Sequence, residues 1–127
     1  MYFRNNLYTV SKRQIQDGSA RFDLLLDAEH MIYKAHFPGQ PITPGVCLLQ
    51  MARELLEDIT ELTLEILSVK NVKFLSVVSP IELPQITFTL SHIAMDEGGV
   101  ECRAQVSAPD DHLLAKLSFK CKIRDKQ

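Results

Sequence analysis

The chain has 127 residues, of which 46% are hydrophobic and 24% charged, with a formal net charge of −2. These values are typical of globular domains and exclude a disordered or fibrous chain, and the length predicts one domain, residues 1–127. The slight negative charge, with no cluster of Lys and Arg, argues against nucleic acid as a partner.

Three cysteines without CxxC spacing favour neither a disulfide framework nor a zinc site, and we expect no metal or cofactor. The longest uncharged run, residues 37–52, is shorter than the roughly 20 residues that span a membrane, and it contains Pro and Gly. The N-terminus has no apolar segment typical of a secretory signal. We therefore expect a cytoplasmic protein without a membrane span.

The first predicted elements are two strands, residues 7–15 and 20–26, around an Asp17-Gly18 turn signal. They predict an opening β-hairpin. Residues 27–35 have no clear periodicity and are predicted to form a loop.

A long apolar helix is predicted next. Thr43 suits the N-cap and Pro44 the first helical position, and the helix should run to about Ile59. Apolar residues cover most of its circumference, so the helix should be buried. Its polar stripe consists of Gln50, Arg53, Glu54, Glu57 and Glu61.

Strands follow the helix to the end of the chain. Residues 64–69 and 72–78 form one long strand or a pair, residues 85–94 and 100–108 alternate around a turn at 96–99, and the last strand begins at Leu113. This order predicts an α+β fold with a long central helix wrapped by an antiparallel sheet.

The loop before the helix carries His36 among prolines and glycines. The unpaired N–H groups and the positive dipole end of a helix favour a partial negative charge. An imidazole is therefore expected beside an oxyanion-type site.

One motif resembles a known family. It consists of His36, Phe37, Pro38, Gly39, Pro41, Pro44, Gly45 and Val46. The pattern is similar to that of the β-hydroxyacyl-acyl-carrier-protein dehydratases, and residues 69–80 resemble the strand that follows the family's helix. The resemblance implies a hotdog fold and dehydration of (3R)-hydroxyacyl thioesters to trans-2-enoyl thioesters.

The resemblance also implies roles and partners. His36 would remove the C2 proton, while the N–H of Gly45 would hold the thioester carbonyl. The substrate would be carried by acyl carrier protein or coenzyme A, and the protein would form a homodimer or an oligomer of dimers. The implied substrate contacts are Tyr33, Phe37, Pro38, Gly39, Val46 and Cys47. Tyr33 alternatively only packs there, and Cys47 is either an activated thiol or, as we favour, a core residue beside the acyl tunnel.

The chain departs from the family at its acidic residue, which is replaced by Gln50, while Glu54 lies one turn further along the helix. An amide cannot protonate a leaving hydroxide as a carboxylic acid can. Either Glu54 supplies the acid, or both residues belong only to the polar stripe and elimination is impaired. We favour impaired or altered chemistry.

Two other functions fit the same residues. A hotdog thioesterase would hold the thioester at Gly45 and use Glu54 as general base for water. A non-catalytic acyl-binding subunit would instead pair with a catalytically complete homologue, forming a heterodimer.

Overall fold

The computed structural model describes residues 2–35 and 39–126. Its elements are β1 (Tyr8–Gln16), β2 (Ser19–Leu26), α1 (Met31–Ala35), α2 (Gly45–Thr60), β3 (Leu62–Phe74), β4 (Gln85–Asp96), β5 (Gly99–Ser107) and β6 (Leu113–Lys126). In this part of the chain no helix has both the length and the apolar character needed to cross a membrane.

The six strands form one antiparallel sheet in the order β1-β2-β4-β5-β6-β3. Among the described strands, the one that follows the helix thus lies at one edge and pairs only with the C-terminal strand. The sequence left open one strand or two for this region, and the structure has one continuous strand, β3, with irregular register near Ile66 and Val69.

The opening hairpin is confirmed. Asp17 and Gly18 have φ angles of 49° and 78°, and Gln16 pairs with Ser19 across the turn. Positive φ at both central residues is the requirement of the tight hairpin turn that Asp-Gly favours.

The core lies between α2 and one face of the sheet. The predicted period of two is confirmed in β5, where Val100, Cys102, Ala104 and Val106 are buried. The largest fully buried side chains of this core are Tyr8, Phe22, Phe88 and Phe119, each with 0% exposure. The long helix is therefore covered by the sheet, as its apolar circumference predicted.

The loop predicted for residues 27–35 is wrong in its second half, because Met31–Ala35 forms the short helix α1. His30 caps it: Nδ1 accepts the N–H of Ile32 at 3.0 Å, and its carbonyl accepts the N–H of Tyr33 at 3.1 Å. Histidine is not among the usual N-cap residues, which is why the sequence did not reveal this start.

Candidate active site

The start of α2 differs from the prediction by one residue. The N-cap is Pro44, with φ −61° and ψ 147°, and no side chain caps the helix. The first helical residue is Gly45. Within the described ranges, the N–H groups of Gly45 and Val46 make no hydrogen bond. Two unpaired donors at the positive end of a helix dipole form a site for a partial negative charge.

Thr43 does not cap the helix because its hydroxyl pairs with the hydroxyl of Tyr33 at 2.9 Å. Both residues are buried, and the N–H of Thr43 also donates to the carbonyl of Val78 at 2.7 Å. These bonds tie α1 and the segment after β3 to the residue that precedes the helix start. We name the pair of hydroxyls the Tyr33–Thr43 brace.

Gly45 packs closely against an aromatic ring. A Cβ atom at this position would lie 2.3 Å from Cζ of Phe74, the last residue of β3. Carbon atoms in contact are normally about 3.5–4.0 Å apart. The ring of Phe74 thus occupies the space of a side chain at residue 45, and only glycine fits without displacing the ring.

A groove of about 840 Å³ runs between α2 and β3. Its helix wall is formed by Val46, Leu49, Gln50 and Arg53, which share one face because they are three and four residues apart. The wall is apolar near the helix start and polar from Gln50 onward. The other lining residues are Tyr2, Thr63, Leu64, Glu65, Ile66, Val69 and Arg124.

Glu54 points away from this groove into a network with the N-terminal segment. Its side chain is only 3% exposed and its two oxygens accept four hydrogen bonds. The donors are the N–H groups of Phe3 (2.7 Å) and Arg4 (2.9 Å), the Tyr8 hydroxyl (2.8 Å) and Nε2 of Gln50 (3.0 Å). A carboxylate has about four acceptor sites, so these donors satisfy it as the anion.

Glu57 is a second buried carboxylate on the same helix, with 2% exposure. Oε2 accepts the N–H of Leu64 at 2.7 Å and Nη1 of Arg53 at 3.1 Å. Arg53 also donates to the Leu64 carbonyl at 3.1 Å, and its guanidinium lies 5.4 Å from the ring centre of Tyr2. This cluster fixes the start of β3 to the helix. The sequence placed both glutamates on a polar stripe without indicating that they are buried.

The structure brings together only part of the predicted site. His36, Phe37 and Pro38 lie outside the described residues. Gly39 has a left-handed φ of 85°, and Val46 lines the groove. Tyr33 lies in the brace. No group of His, Cys, Asp or Glu within residues 2–35 and 39–126 could hold a metal ion.

Cys47 lies on the core side of the helix and is only 3% exposed. Burial raises the pKa of its thiol. Position near a helix N-terminus would favour the thiolate, but here desolvation has the larger effect. This environment favours the core residue over the activated thiol.

A profile of the ApeI-like family, described as ApeI dehydratase, matches residues 11–108. The chain belongs to the ApeI-like dehydratase family. No curated protein matches the chain significantly.

Solved structures with the same fold include ApeI-like and thioesterase proteins. The dehydratase heterocomplex ApeI:P from Xenorhabdus doucetiae is 23% identical, with a TM-score of 0.66 over 90% of this chain and 96% of that chain. A putative thioesterase, yhdA from Lactococcus lactis, is 10% identical, with a TM-score of 0.68 over the full length of both chains. A hypothetical thioesterase with coenzyme A from Streptococcus pneumoniae TIGR4 is 11% identical, with a TM-score of 0.65 over 94% of this chain and 88% of that chain. These likenesses show the predicted hotdog fold.

In this member of the ApeI-like dehydratase family, two parts of α2 differ in the hydrogen-bonding groups that they offer to a ligand. The helix start offers unpaired N–H donors at Gly45 and Val46, whereas the Glu54 region is internally satisfied. The sequence missed the partners of Glu54, because Phe3, Arg4 and Tyr8 are about 50 positions away in the chain. Hydrogen bonds over that separation leave no periodic signal.

Proposed function

We propose that the protein dehydrates (3R)-hydroxyacyl thioesters carried by acyl carrier protein to trans-2-enoyl thioesters. The observation that carries the proposal is the groove along α2, which begins beside the unpaired N–H groups of Gly45 and Val46 and passes Gln50. It occurs in a chain of a dehydratase family. A thioester carbonyl at the helix start and an acyl chain along the groove would place C3 near Gln50.

In the proposed reaction His36 takes the proton from C2, and the charge that develops on the thioester oxygen is stabilised by the N–H of Gly45. Loss of such a donor typically costs on the order of a hundredfold in rate. The C3–O bond then breaks and the hydroxyl leaves as water. The amide of Gln50 can donate a hydrogen bond, but it is not an acid that can transfer a proton to the leaving hydroxyl. The imidazolium of His36 therefore returns the proton in this proposal, so that one residue acts as base and then as acid.

The test is the conversion of a 3-hydroxyacyl thioester to the enoyl form by purified protein, followed by the ultraviolet absorbance of the conjugated product. His36→Ala should abolish it. His112→Ala changes an exposed histidine at a turn and serves as the matched control. Comparison of the carrier-protein and coenzyme A thioesters identifies the preferred carrier. Activity that survives in His36→Ala would refute the proposal.

A second candidate is a subunit that pairs with a catalytically complete homologue. Gln50 at the position of the family's acid favours it, as does the edge strand β3, where Leu67 and Val69 are 57% and 46% exposed. An apolar sheet edge is a template for pairing with another chain. Full turnover by the purified homodimer would exclude this candidate. A protein that is inactive until a Glu-containing homologue is added, and whose pairing fails in Leu67→Glu, would select it.

The geometry does not support the thioesterase alternative, in which Glu54 activates water. All four acceptor positions of Glu54 are occupied by donors from the protein itself. Water activation would require the loss of at least one of these bonds in a buried site. Release of free thiol from an acyl thioester, lost in Glu54→Gln and kept in His36→Ala, would reverse this conclusion.

A further inference from the structure

We propose that Arg53 is a specificity-determining residue, whose guanidinium group ends the aliphatic part of the groove and limits the acyl chain to about ten carbons. The placement of the thioester at the helix start rests on the proposed function. The inference adds the substrate class within that function. The groove should select medium-chain acyl thioesters, and the additional carbons of longer chains should contribute nothing to binding.

The groove consists of two chemically different parts. Near the helix start its lining is aliphatic, and the side chains of Val46 and Val69 are 75% and 46% exposed. Aliphatic surface of this kind favours a hydrocarbon chain that removes it from water. The charged lining residues belong to the other part, and they are Arg53, Glu65 and Arg124. A chain that runs along α2 from the helix start therefore meets Arg53 as the first charged side chain of that wall.

The strand β3 follows the groove in the opposite direction and gives the same order. It starts at the polar end, where the carbonyl of Leu64 accepts a hydrogen bond of 3.1 Å from Nη1 of Arg53. It ends beside the helix start, where the ring of Phe74 packs against Gly45. Val69 lies between these two points of the strand and lines the groove. Both walls therefore change from aliphatic to charged toward Arg53.

Arg53 is fixed in this position by several contacts. Its side chain is only 16% exposed. Nη1 donates to Oε2 of Glu57 at 3.1 Å as well as to the Leu64 carbonyl, and the guanidinium lies 5.4 Å from the ring centre of Tyr2. Displacement of Arg53 would leave the buried charge of Glu57 without its cation, which is unfavourable. Because a hydrocarbon chain offers no hydrogen bond in exchange, the chain should end in front of the guanidinium.

The distance along the helix sets the expected limit. Gly45 and Arg53 are eight residues apart on α2, which corresponds to about 12 Å at about 1.5 Å per residue. An extended chain advances about 1.2 Å per bond, since the three backbone bonds of one amino acid span about 3.3–3.6 Å. A thioester carbonyl held at Gly45 therefore places about the tenth carbon beside the guanidinium. Up to this point the burial of each CH2 group should strengthen binding roughly fourfold.

The experiment measures, by titration calorimetry, the dissociation constants of saturated acyl pantetheine amides with chains of six to fourteen carbons. The amide bond resists hydrolysis, and a saturated chain has no hydroxyl group to eliminate. For the wild-type protein we expect the affinity to rise roughly fourfold per CH2 group up to about ten carbons and to stay constant beyond that length. We call this change of slope the length break.

The double variant Arg53→Met with Glu57→Gln removes the guanidinium without leaving a buried charge, and the amide introduced at position 57 can still accept the N–H of Leu64. Its affinity should keep rising to the longest ligand, while its affinity for the six-carbon ligand stays at the wild-type value. A purely structural role for Arg53 would instead weaken the binding of all lengths alike.

Two control variants should keep the length break. Glu57→Gln alone retains Arg53 and its hydrogen bond to the Leu64 carbonyl. Arg124→Met changes the second arginine of the groove, whose side chain is 59% exposed and pairs with an exposed carboxylate.

Gln50→Arg tests the same idea without the loss of Arg53. The new guanidinium would lie on the same wall one turn nearer the helix start, where Glu54 can pair with it. The length break should move to chains about four carbons shorter.

A wild-type protein that binds none of the ligands, or whose affinity rises without a break to the longest one, would overturn the proposal. An unmoved break in the double variant is equally contrary. If the double variant does not fold, Gln50→Arg decides, and an unmoved break there also refutes the proposal. The readout is binding and not turnover. A break at the expected length in a protein that forms no enoyl product would refute the proposed function alone, whereas dehydration without a break would refute only this inference.

Discussion

The side-chain NH2 group of Gln50 donates a hydrogen bond of 3.0 Å to the carboxylate of Glu54. The two residues are one helical turn apart on α2. The side chain that lines the groove, Gln50, is thus neutral. The charged side chain, Glu54, lies behind it and is only 3% exposed. The related dehydratases that the sequence resembles have the acid at the position of Gln50. Relative to that pattern, an amide takes the place of the acid in this chain, and the carboxylate lies one turn further along α2.

This arrangement predicts that Gln50→Glu alone will not create an efficient dehydratase. The new carboxylate would face Glu54 at about the 3.0 Å now spanned by the amide bond, and two carboxylates at that distance repel each other. We expect a lower melting temperature and little gain in turnover. The exchange variant, Gln50→Glu with Glu54→Gln, places an amide beside the new acid and should have a clearly higher kcat than the wild type.

Enoyl formation and thermal unfolding, measured on the four proteins of this double-mutant cycle, give the coupling between the two positions. Contact pairs of this kind should be strongly non-additive. Additive effects on both kcat and stability would contradict the direct coupling that the hydrogen bond implies.

The sequence predicted the elements that depend on local patterns. The hairpin at Asp17-Gly18 and the alternation of β5 follow from turn chemistry and a period of two, both of which are legible in a few neighbouring residues. Thr43 was assigned to the wrong role because its hydroxyl had a competing partner, Tyr33, ten positions away. Propensity gives the preference of a residue but not its tertiary partners.

For the candidate site, the sequence identified the residues but not their packing or burial. Gly45 was identified through the motif. The ring that leaves little room for a side chain at this position belongs to Phe74, which is 29 positions later in the chain. Glu54 was recognised as a chemical possibility, and its burial was not, since its donors are on the N-terminal segment. Motifs locate chemistry along the chain, whereas accessibility depends on what the fold packs against it.

The contact between Gly45 and Phe74 predicts a rescue. Gly45→Ala should destabilise the protein by about 1–3 kcal/mol, because the methyl group would overlap the ring and force it away. Phe74 is 54% exposed, so Phe74→Ala alone should cost less than a buried phenylalanine would. In the double variant the methyl group has room, and urea denaturation should show less than the sum of the single costs. A strictly additive loss would mean that the two residues are not in conflict.

The Tyr33–Thr43 brace predicts an asymmetry between single and double variants. Tyr33→Phe leaves the buried Thr43 hydroxyl without its partner, and Thr43→Val does the same to Tyr33, so each should cost about 1–3 kcal/mol. The double variant removes both polar groups and should be no less stable than the worse single variant. Chemical denaturation of the four proteins measures this. A double variant that loses the sum of both costs would show that the hydroxyls act independently.

The last prediction concerns Asp58, which joins the N-terminal segment and β1 to α2. Its carboxylate pairs with Arg4 and, at 2.8 Å, with Nε of Arg13. Burial would raise the pKa of Asp58, but the hydrogen bonds from the two arginines outweigh burial and hold that pKa below the ordinary 3.8. A carboxyl group with a lowered folded-state pKa contributes stability above 3.8, and this contribution is lost as the pH falls through the folded-state pKa.

Asp58→Asn should therefore be less stable than the wild type at pH 7, and the difference in the free energy of unfolding should stay constant down to about pH 5. Below pH 3.8 the difference should shrink as Asp58 of the wild type becomes protonated. Urea denaturation at pH 7, 5, 4 and 3 measures the difference. Glu97→Gln, at an exposed carboxyl group in the β4–β5 turn, controls for the removal of one negative charge. A difference that is unchanged at pH 3 would show that the charge of Asp58 does not hold the N-terminal segment to the helix.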